Sequence, residues 1–584
     1  MNNKLSIVRH SSAHLLASSV VKIFPGTKVA IGPVVENGFY YDFDFQKPIS
    51  ELELPKIEKE MKKQQSKNSI FEQKWISLNE AKELFKDEPY KMEIISEIEK
   101  GERDDFGQKG KVSIYKSGDF VDLCKGPHVA KNSEIGFFKL LSLAGAYWKG
   151  SEKNKMLTRI YGICFETKEE LDKYIWQVEE AKKRDHRKLG KSLDLFIIDD
   201  NIGRGLPLLT PKGTIIKDRI LEYESQLELQ AGFQRVSTPH IGRVEIYKKT
   251  GHWQHYRETM YAPFGIEGDE YVLKPMNCPH HYMIYSSKPR SYKDLPVRLS
   301  EPGTCYRFEK SGELSGLLRV RALTIDDAHI LMTEEQVESE FKLCIEMVAK
   351  MFAAFKLDDY YVRLSLSDPS DAVKYIADPK IWQRGGELLE KIVRNNKLKY
   401  TTVSGEASFY GPKLDYIVKD SLGREWQMST LQLDLFMGKR LNLTYTDEKG
   451  KKQHPIILHR GLTGSLERTL AILIEHFGGA FPLWLAPVQL AILPISQRHV
   501  QYGRELQSLF MEAHIRPELD ERSETIGAKI REAALQKIPY LAIIGDRERE
   551  NKSVSARTRV GKDLGKMDLR KFIALLNNEI DKKI

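Results

Sequence analysis

The chain has 584 residues, 41% hydrophobic and 30% charged, with a formal net charge of +9. That length exceeds what one core organises and implies three or more domains. No run of about 18 apolar residues occurs, which excludes an ordinary transmembrane helix, and the polar start MNNKLSIVRHSSAH is no secretory signal. Five scattered cysteines, Cys124, Cys164, Cys278, Cys305 and Cys344, suggest no disulfide framework and a reducing, cytoplasmic compartment. The basic surplus suits a polyanionic partner, a weak signal because many basic proteins bind no nucleic acid.

Leu15, Leu16, Val20 and Ile23 at helical spacing place a helix over 5–24, stopped by Pro25 and Gly26. KVAIGPVVENGFYYDFDF then alternates, with Glu36, Asn37 and Gly38 as a hairpin turn. A charged helix follows over 51–66, and strand-like segments recur up to 159–166. KEELDKYIWQVEEAKKRDHRK, 168–188, reads as one charged helix with few core positions, the character of a linker. Across 190–484, strands such as EYVLKPM and REWQMSTLQLDLF lack regular intervening helices, so an antiparallel sheet is expected rather than a doubly wound one. After LWLAP, strand and helix alternate from VQLAILPI to YLAIIG, a small α/β module with parallel strands. The expected fold is an α+β multidomain chain divided into 1–167, a linker helix at 168–189, 190–484 and 485–584.

In EPGTCYRFEKSGELSGLLRVRALTIDDAHI, Arg307 and Glu309 alternate, which on a strand turns both to one side. A glycine-bearing loop leads to Arg319 and Arg321 on a second strand. Arginine forks grip phosphate bidentately and a neighbouring carboxylate can orient an amine; an exposed, ion-paired hairpin would read the same way. GLTGSLERTLAILIEHFGG is a glycine loop feeding an apolar helix with Arg468 in its first turns. A charge among apolar neighbours calls for an anion or snorkels to the surface. HSSAH sets His10 and His14 on one helix face, and CKGPH adds Cys124 and His128. That is a metal set or a group of satisfied helix histidines, without the glutamate of the HExxH proteases.

Together these segments resemble the signature motifs of class II aminoacyl-tRNA synthetases. GFQRVSTPHI with Pro239 is similar to the first, the Arg307–Glu309 hairpin to the second and the Arg468 helix to the third. KPMNCPHH, DDAHI, FYGPKLDY and WQMSTLQLD narrow the resemblance to the threonyl-tRNA synthetase family, over essentially the whole chain. It implies an N-terminal α+β editing domain, a class II antiparallel-sheet catalytic domain and a C-terminal α/β anticodon-binding domain. The small ubiquitin-like (TGS) domain that precedes these in most bacterial members is not expected. The implied reaction makes threonyl-adenylate from threonine and ATP, then passes the threonyl group to threonine tRNA, in a cytoplasmic homodimer with no membrane part.

The resemblance further implies one Zn2+ on Cys278, His329 and His459, which lie 51 and 130 residues apart, with His280 and His281 outside the ligand set. The open position would take the amino and hydroxyl groups of threonine, and Asp327 the hydroxyl proton. Valine is isosteric but lacks the hydroxyl, a difference that an apolar pocket alone rejects only about a hundredfold. Arg307 would meet the α-phosphate and threonine carboxylate, Glu309 the adenine amine, and Arg319 and Arg468 the ATP phosphates, with Mg2+ accompanying ATP. Tyr410, Lys413, Gln427 and Gln432 would line the threonine and adenylate site, and His252 would assist transfer to the ribose. His10, His14, Asp122, Cys124 and His128 match an editing site that hydrolyses seryl-tRNA through activated water without metal. Serine differs from threonine by one methyl, worth only about 1–3 kcal/mol, so a second sieve is needed. Glu548 and Arg557 fall where the family reads splayed anticodon bases, in a module (486–584) of 18 basic and 14 acidic residues.

Ala322, Leu323, Thr324 and Ile325 stand where the family reads Gly-Phe-Thr-Gln, His280 where it has glycine, and Ser523 where asparagine is frequent. Leu323 loses an aromatic face for adenine, and Ile325 removes a polar group near the amino-acid pocket. Those two positions are the support for a rival reading, a synthetase-like RNA-binding or regulatory protein without ligase activity. The retained arginines and metal set oppose it. A serine ligase is disfavoured, because seryl editing would be pointless in it.

Overall fold

The helix expected over 5–24 runs Asn3–Ile23 and buries Val8, Leu15, Leu16 and Val20. In this computed structural model, which describes residues 3–103, 107–108, 110–371 and 373–583, the chain divides into units Met1–Glu179 and Glu180–Ile584. In the first unit that helix and Leu54–Ser66 share a core with a five-stranded antiparallel sheet. Its order is Lys28–Val29, Gly38–Asp44, Met156–Phe165 and Phe137–Tyr147, with Val34–Val35 folded back on Gly38–Asp44. Asn37, at φ 61°, closes the expected hairpin. A four-stranded sheet containing Phe71–Ser77, Lys111–Ser117 and Phe120–Leu123 packs with helices Leu78–Leu84 and Pro89–Lys100.

The charged segment after 167 is two helices rather than one. Lys168–Arg184 buries only Leu171, and His186–Ser192 starts afresh because the Asp185 side chain accepts the Arg187 amide at 2.8 Å.

An eight-stranded sheet organises the second unit, in the order Gln234–Arg235, Val297–Tyr306, Ala322–Met332, Ile456–Ser465, Glu425–Asp434, Lys413–Lys419, Tyr360–Leu366, Tyr400–Ser404. Its inner pairings are antiparallel as expected, and only the two edge pairings are parallel. Helices Pro211–Gln230, Val337–Ala354, Pro379–Asn395 and Leu466–Phe477 contribute Ile216, Phe341, Leu389 and Leu470 to one core with Ala328, Ile330 and Met332 of the sheet. The alternate residues Leu323, Ile325 and Asp327 face a cavity instead.

The C-terminal sheet is mixed rather than parallel throughout. Leu490–Pro494, Pro517–Leu519 and Tyr540–Ile544 are parallel, while Ser553–Thr558 and Asp563–Asp568 continue antiparallel. The connection from 544 to 553 is shorter than the dozen residues a parallel crossover takes.

Arg460 is fully buried in the second unit, pairing with Glu228 and, at 3.5 Å, with Glu224. Burial and the neighbouring Asp326 raise the Glu224 carboxyl well above the usual range. The guanidinium therefore ties helix Pro211–Gln230 to strand Ile456–Ser465. No helix among the described residues is long and apolar enough to cross a membrane. Arg460→Met should destabilise this unit by about 3–5 kcal/mol, because it strands buried carboxylates. The readout is the urea midpoint of its unfolding, with partial recovery on adding Glu228→Gln; an unchanged midpoint contradicts the account.

Candidate functional site

A cavity of about 610 Å³ opens on the sheet, lined by Arg307, Glu309, Arg319, Arg468, Asp327, Tyr410, Gln427 and Gln432 among others. Arg307 and Glu309 are not on a strand. The pairing of Val297–Tyr306 with Ala322–Met332 ends where Tyr306 faces Ala322. Arg307, Glu309, Arg319 and Arg321 therefore sit in the loop beyond the sheet, free of its alternation. Arg319 pairs with Glu309 at 2.8 Å and Glu313 at 3.1 Å. Neither the Arg307 nor the Arg468 guanidinium has an ion pair among the described residues. GLTGS is the end of strand Ile456–Ser465 rather than a free loop. The Ser465 hydroxyl caps helix Leu466–Phe477, accepting the Arg468 amide at 3.4 Å, and so places Arg468 in the first turn. Desolvation, then the like charge of Arg319, lowers the Arg468 pKa. Guanidinium groups converging this way favour an anion.

Gln427 is gripped by Arg363 and Asp415, each at 2.8 Å. Lys413 lies beside the lining, its Nζ donating to Asp415 Oδ2 at 2.5 Å. His252 is also off the wall, buried behind Tyr410 with ring centroids 6.2 Å apart. The Thr250 hydroxyl donates to Ile246 O at 2.9 Å and so accepts from His252 Nδ1 at 2.7 Å. Nε2 of His252 is left as a buried lone pair without a partner. Burial brings this imidazole down to about 3.

Cys278, His329 and His459 are buried, and their donor atoms lie within 4.8 Å of one another. Strand register makes this possible, since His329 sits directly opposite His459 across one pairing. Neither His280 nor His281 belongs to the set. His281 nonetheless orders it: its Nε2 lies 3.2 Å from Glu301 Oε2 and its Nδ1 2.8 Å from His329 Nδ1. Burial would raise Glu301, but hydrogen bonds from His281 and Thr238 bring it down to about 2. A carboxylate there accepts a hydrogen bond from His281 Nε2–H, so His281 Nδ1 accepts from His329 Nδ1, and the His329 Nε2 lone pair is left free. That atom is buried and has no hydrogen-bond partner among the described residues. Asp434 holds the second imidazole, 3.2 Å from His459 Nε2. A buried thiol and two oriented imidazoles fit a soft divalent metal. Asn277 Nδ2 donates to Asp327 at 3.2 Å, and Gly303 is required beneath it, because a Cβ there would come within 2.4 Å of the Asn277 side chain.

In the first unit His10, His14, Cys124 and His128 also converge. The Ser11 hydroxyl donates to Ile7 O at 2.9 Å and accepts from His128 Nδ1 at 3.1 Å, so His128 Nε2 faces the Cys124 thiol at 3.1 Å as a lone pair. His10 Nδ1 reaches Pro127 O at 3.3 Å, which turns its own Nε2 to the same thiol at 3.4 Å. Asp122 lies 3.7 Å from His14. Burial lowers all three imidazoles and pushes Cys124 up to about 12. The set is therefore neutral at pH 7, imidazoles and thiol alike.

The sequence reasoning missed Lys91 and Tyr41. Lys91 pairs with Asp122 with both side chains 2% exposed, and the Tyr41 hydroxyl donates to Asp122 at 2.5 Å. Lys91 sits in a charged stretch without a distinguishing pattern. His281 had a signal, since it lies one helical turn from Cys278 on helix Cys278–Ser286. Glu548 and Arg557 occupy the consecutive helix Asp546–Glu550 and strand Ser553–Thr558. Glu548 accepts the Gly545 amide at 3.0 Å, and Arg557 reaches Asp563 at 3.3 Å. Leu323 and Ile325 lie on the cavity wall and leave it open.

This antiparallel sheet with an arginine-lined cleft is that of a class II aminoacyl-tRNA synthetase. Residues 263–477 match the tRNA synthetase class II core domain (G, H, P, S and T), 489–579 the anticodon binding domain, and 112–161 the threonyl and alanyl tRNA synthetase second additional domain. The threonine–tRNA ligase of Anoxybacillus flavithermus is 45% identical over 585 residues, covering 100% of this chain and 90% of that protein. That of Thermus thermophilus is 44% identical, covering 97% and 87%. A solved threonyl-tRNA synthetase structure from Cryptosporidium parvum, titled as its RNA binding domain, superposes with a TM-score of 0.65. It is 32% identical and covers 68% of this chain and 98% of that one. The chain belongs to the threonine–tRNA ligase family.

Because Cys124 is a buried, neutral thiol, iodoacetamide at pH 8 should modify it at under about 1% of the rate of a free cysteine. Peptide mass spectrometry of the native protein reads this directly, and rapid labelling would show that the thiol is ionised.

Proposed function

We propose that this chain joins threonine to threonine tRNA in the cavity of the second unit and hydrolyses misattached serine in the first. What carries the reading is a cavity lined by Arg307 and Arg468, unpaired among the described residues, together with Cys278 and His459 of a buried Cys–His–His set. Cys278, His329 and His459 would hold a zinc ion, which would bind the amino and hydroxyl groups of threonine, and valine lacks that hydroxyl. Asp327, held by Asn277, accepts the hydroxyl proton. Arg307 and Arg468 neutralise the carboxylate and phosphates as adenylate forms, with Mg2+ carried in by ATP. Arg319 exchanges its carboxylate partners for phosphate, which frees Glu309 to accept from the adenine amine. Tyr410, Gln427 and Gln432 shape the pocket, and Lys413 acts through Asp415. His252, fixed by Thr250 and packed behind Tyr410, assists transfer to the tRNA ribose.

In the first unit the converging Nε2 atoms of His10 and His128 are placed to take a proton from water, with His14 and the Asp122–Lys91 pair ordering the basin. Glu548 and Arg557 contribute to anticodon contacts. The working form is a cytoplasmic homodimer.

ATP–pyrophosphate exchange should be strongest with threonine, detectable with serine and absent with valine. Cys278→Ala should abolish it, and Arg468→Gln should lower kcat/KM for ATP about 10²- to 10³-fold. Silence with every amino acid would overturn the ligase reading. Asp122→Ala should leave threonyl transfer intact while seryl-tRNA accumulates; unchanged seryl-tRNA hydrolysis would remove the editing assignment.

A further inference from the structure

His186 is 2% exposed and lies at the start of helix His186–Ser192, outside the cavity lining. Its Nδ1 is 2.6 Å from Glu475 Oε1, which also accepts the His186 amide at 3.0 Å. Arg424 holds the other Glu475 oxygen at 2.6 Å. On the far side of the ring, the Leu317 amide donates to Nε2 at 3.1 Å. An amide N–H can only donate, and a carboxylate held by Arg424 accepts. One tautomer, neutral with its proton on Nδ1, satisfies both partners.

Those partners belong to the two elements that carry the cavity's arginines. Leu317 sits in the loop that ends in Arg319, where the Leu318 amide donates to Ser315 O at 2.8 Å and the Ser315 amide to Arg319 O at 3.3 Å. Glu475 is near the end of helix Leu466–Phe477, whose first turn carries Arg468. Gly316 adopts φ +52°, and a Cβ there would stand 2.1 Å from His186 Nε2, so the loop backbone rests directly on the ring.

We propose that His186 is a positioning residue that sets the Arg319 loop against the Arg468 helix, so that both guanidinium groups meet one triphosphate. The proposal rests on the ATP-site reading of the cavity. Three variants test it in ATP–pyrophosphate exchange. An asparagine amide can still donate to Glu475 but cannot reach Leu317, so His186→Asn should raise KM for ATP about tenfold, as an unpaired buried amide predicts. KM for threonine should stay near wild type, and the variant should remain folded at the assay temperature with a modestly lowered melting temperature. His186→Gln, whose carbonyl extends toward Leu317, should recover KM for ATP to within about threefold of wild type. Gly316→Ala, which pushes the loop off the ring, should reproduce the ATP-specific rise. Wild-type KM for ATP in His186→Asn and Gly316→Ala, or equal rises for both substrates, would overturn the proposal while leaving the ligase reading intact. A wild-type chain without exchange would overturn both.

Discussion

Everything the second unit does depends on the register of three neighbouring strands. His329 stands opposite His459, and His459 opposite Gln432. Slipping any of these strands by one residue would send its cavity residues into the helical core and its core residues into the cavity. The same alternation puts Ala328, Ile330 and Met332 among apolar helices, so burial of the core and assembly of the cavity are one choice. Arg460 reinforces it from the other side, since its charge is matched only while helix Pro211–Gln230 lies against strand Ile456–Ser465.

Both units use neutral imidazoles whose tautomers are set by partners behind the ring, yet they leave different atoms free. In the first unit the Nε2 atoms of His10 and His128 converge on a thiol, and the nearby carboxylate Asp122 is already matched by Lys91. In the second, Glu301 and His281 leave the buried His329 Nε2 without a hydrogen-bond partner among the described residues. A lone pair buried without a partner is costly, and a metal would satisfy it. In the first cluster both Nε2 atoms instead face one thiol, whose single proton can serve only one of them at a time.

The departures at 322–325 fall within this logic. Leu323 and Ile325 join Cys305 and Val320 in a small apolar cluster at the cavity wall, and the arginines, Cys278 and His459 line the same cavity.

Much was legible from residue order because it is local. Helical spacing, the Asn37 turn, the antiparallel character of the central sheet and the motif residues all show within a window of some tens of residues. Where local patterns were over-extended, short-range geometry corrected them. Arg307 and Arg319 left the strands because pairing stops at Tyr306, Asp185 cut one helix into two, and a short connection turned two C-terminal strands antiparallel. Resemblance, not spacing, linked Cys278, His329 and His459. Only the tertiary structure supplied Glu301 behind His281, Lys91 beside Asp122, and His186 between Leu317 and Glu475. These contacts join residues 20 to 289 positions apart. A charge or tautomer is chosen by what lies across the fold, and residue order along the chain carries no distance in space.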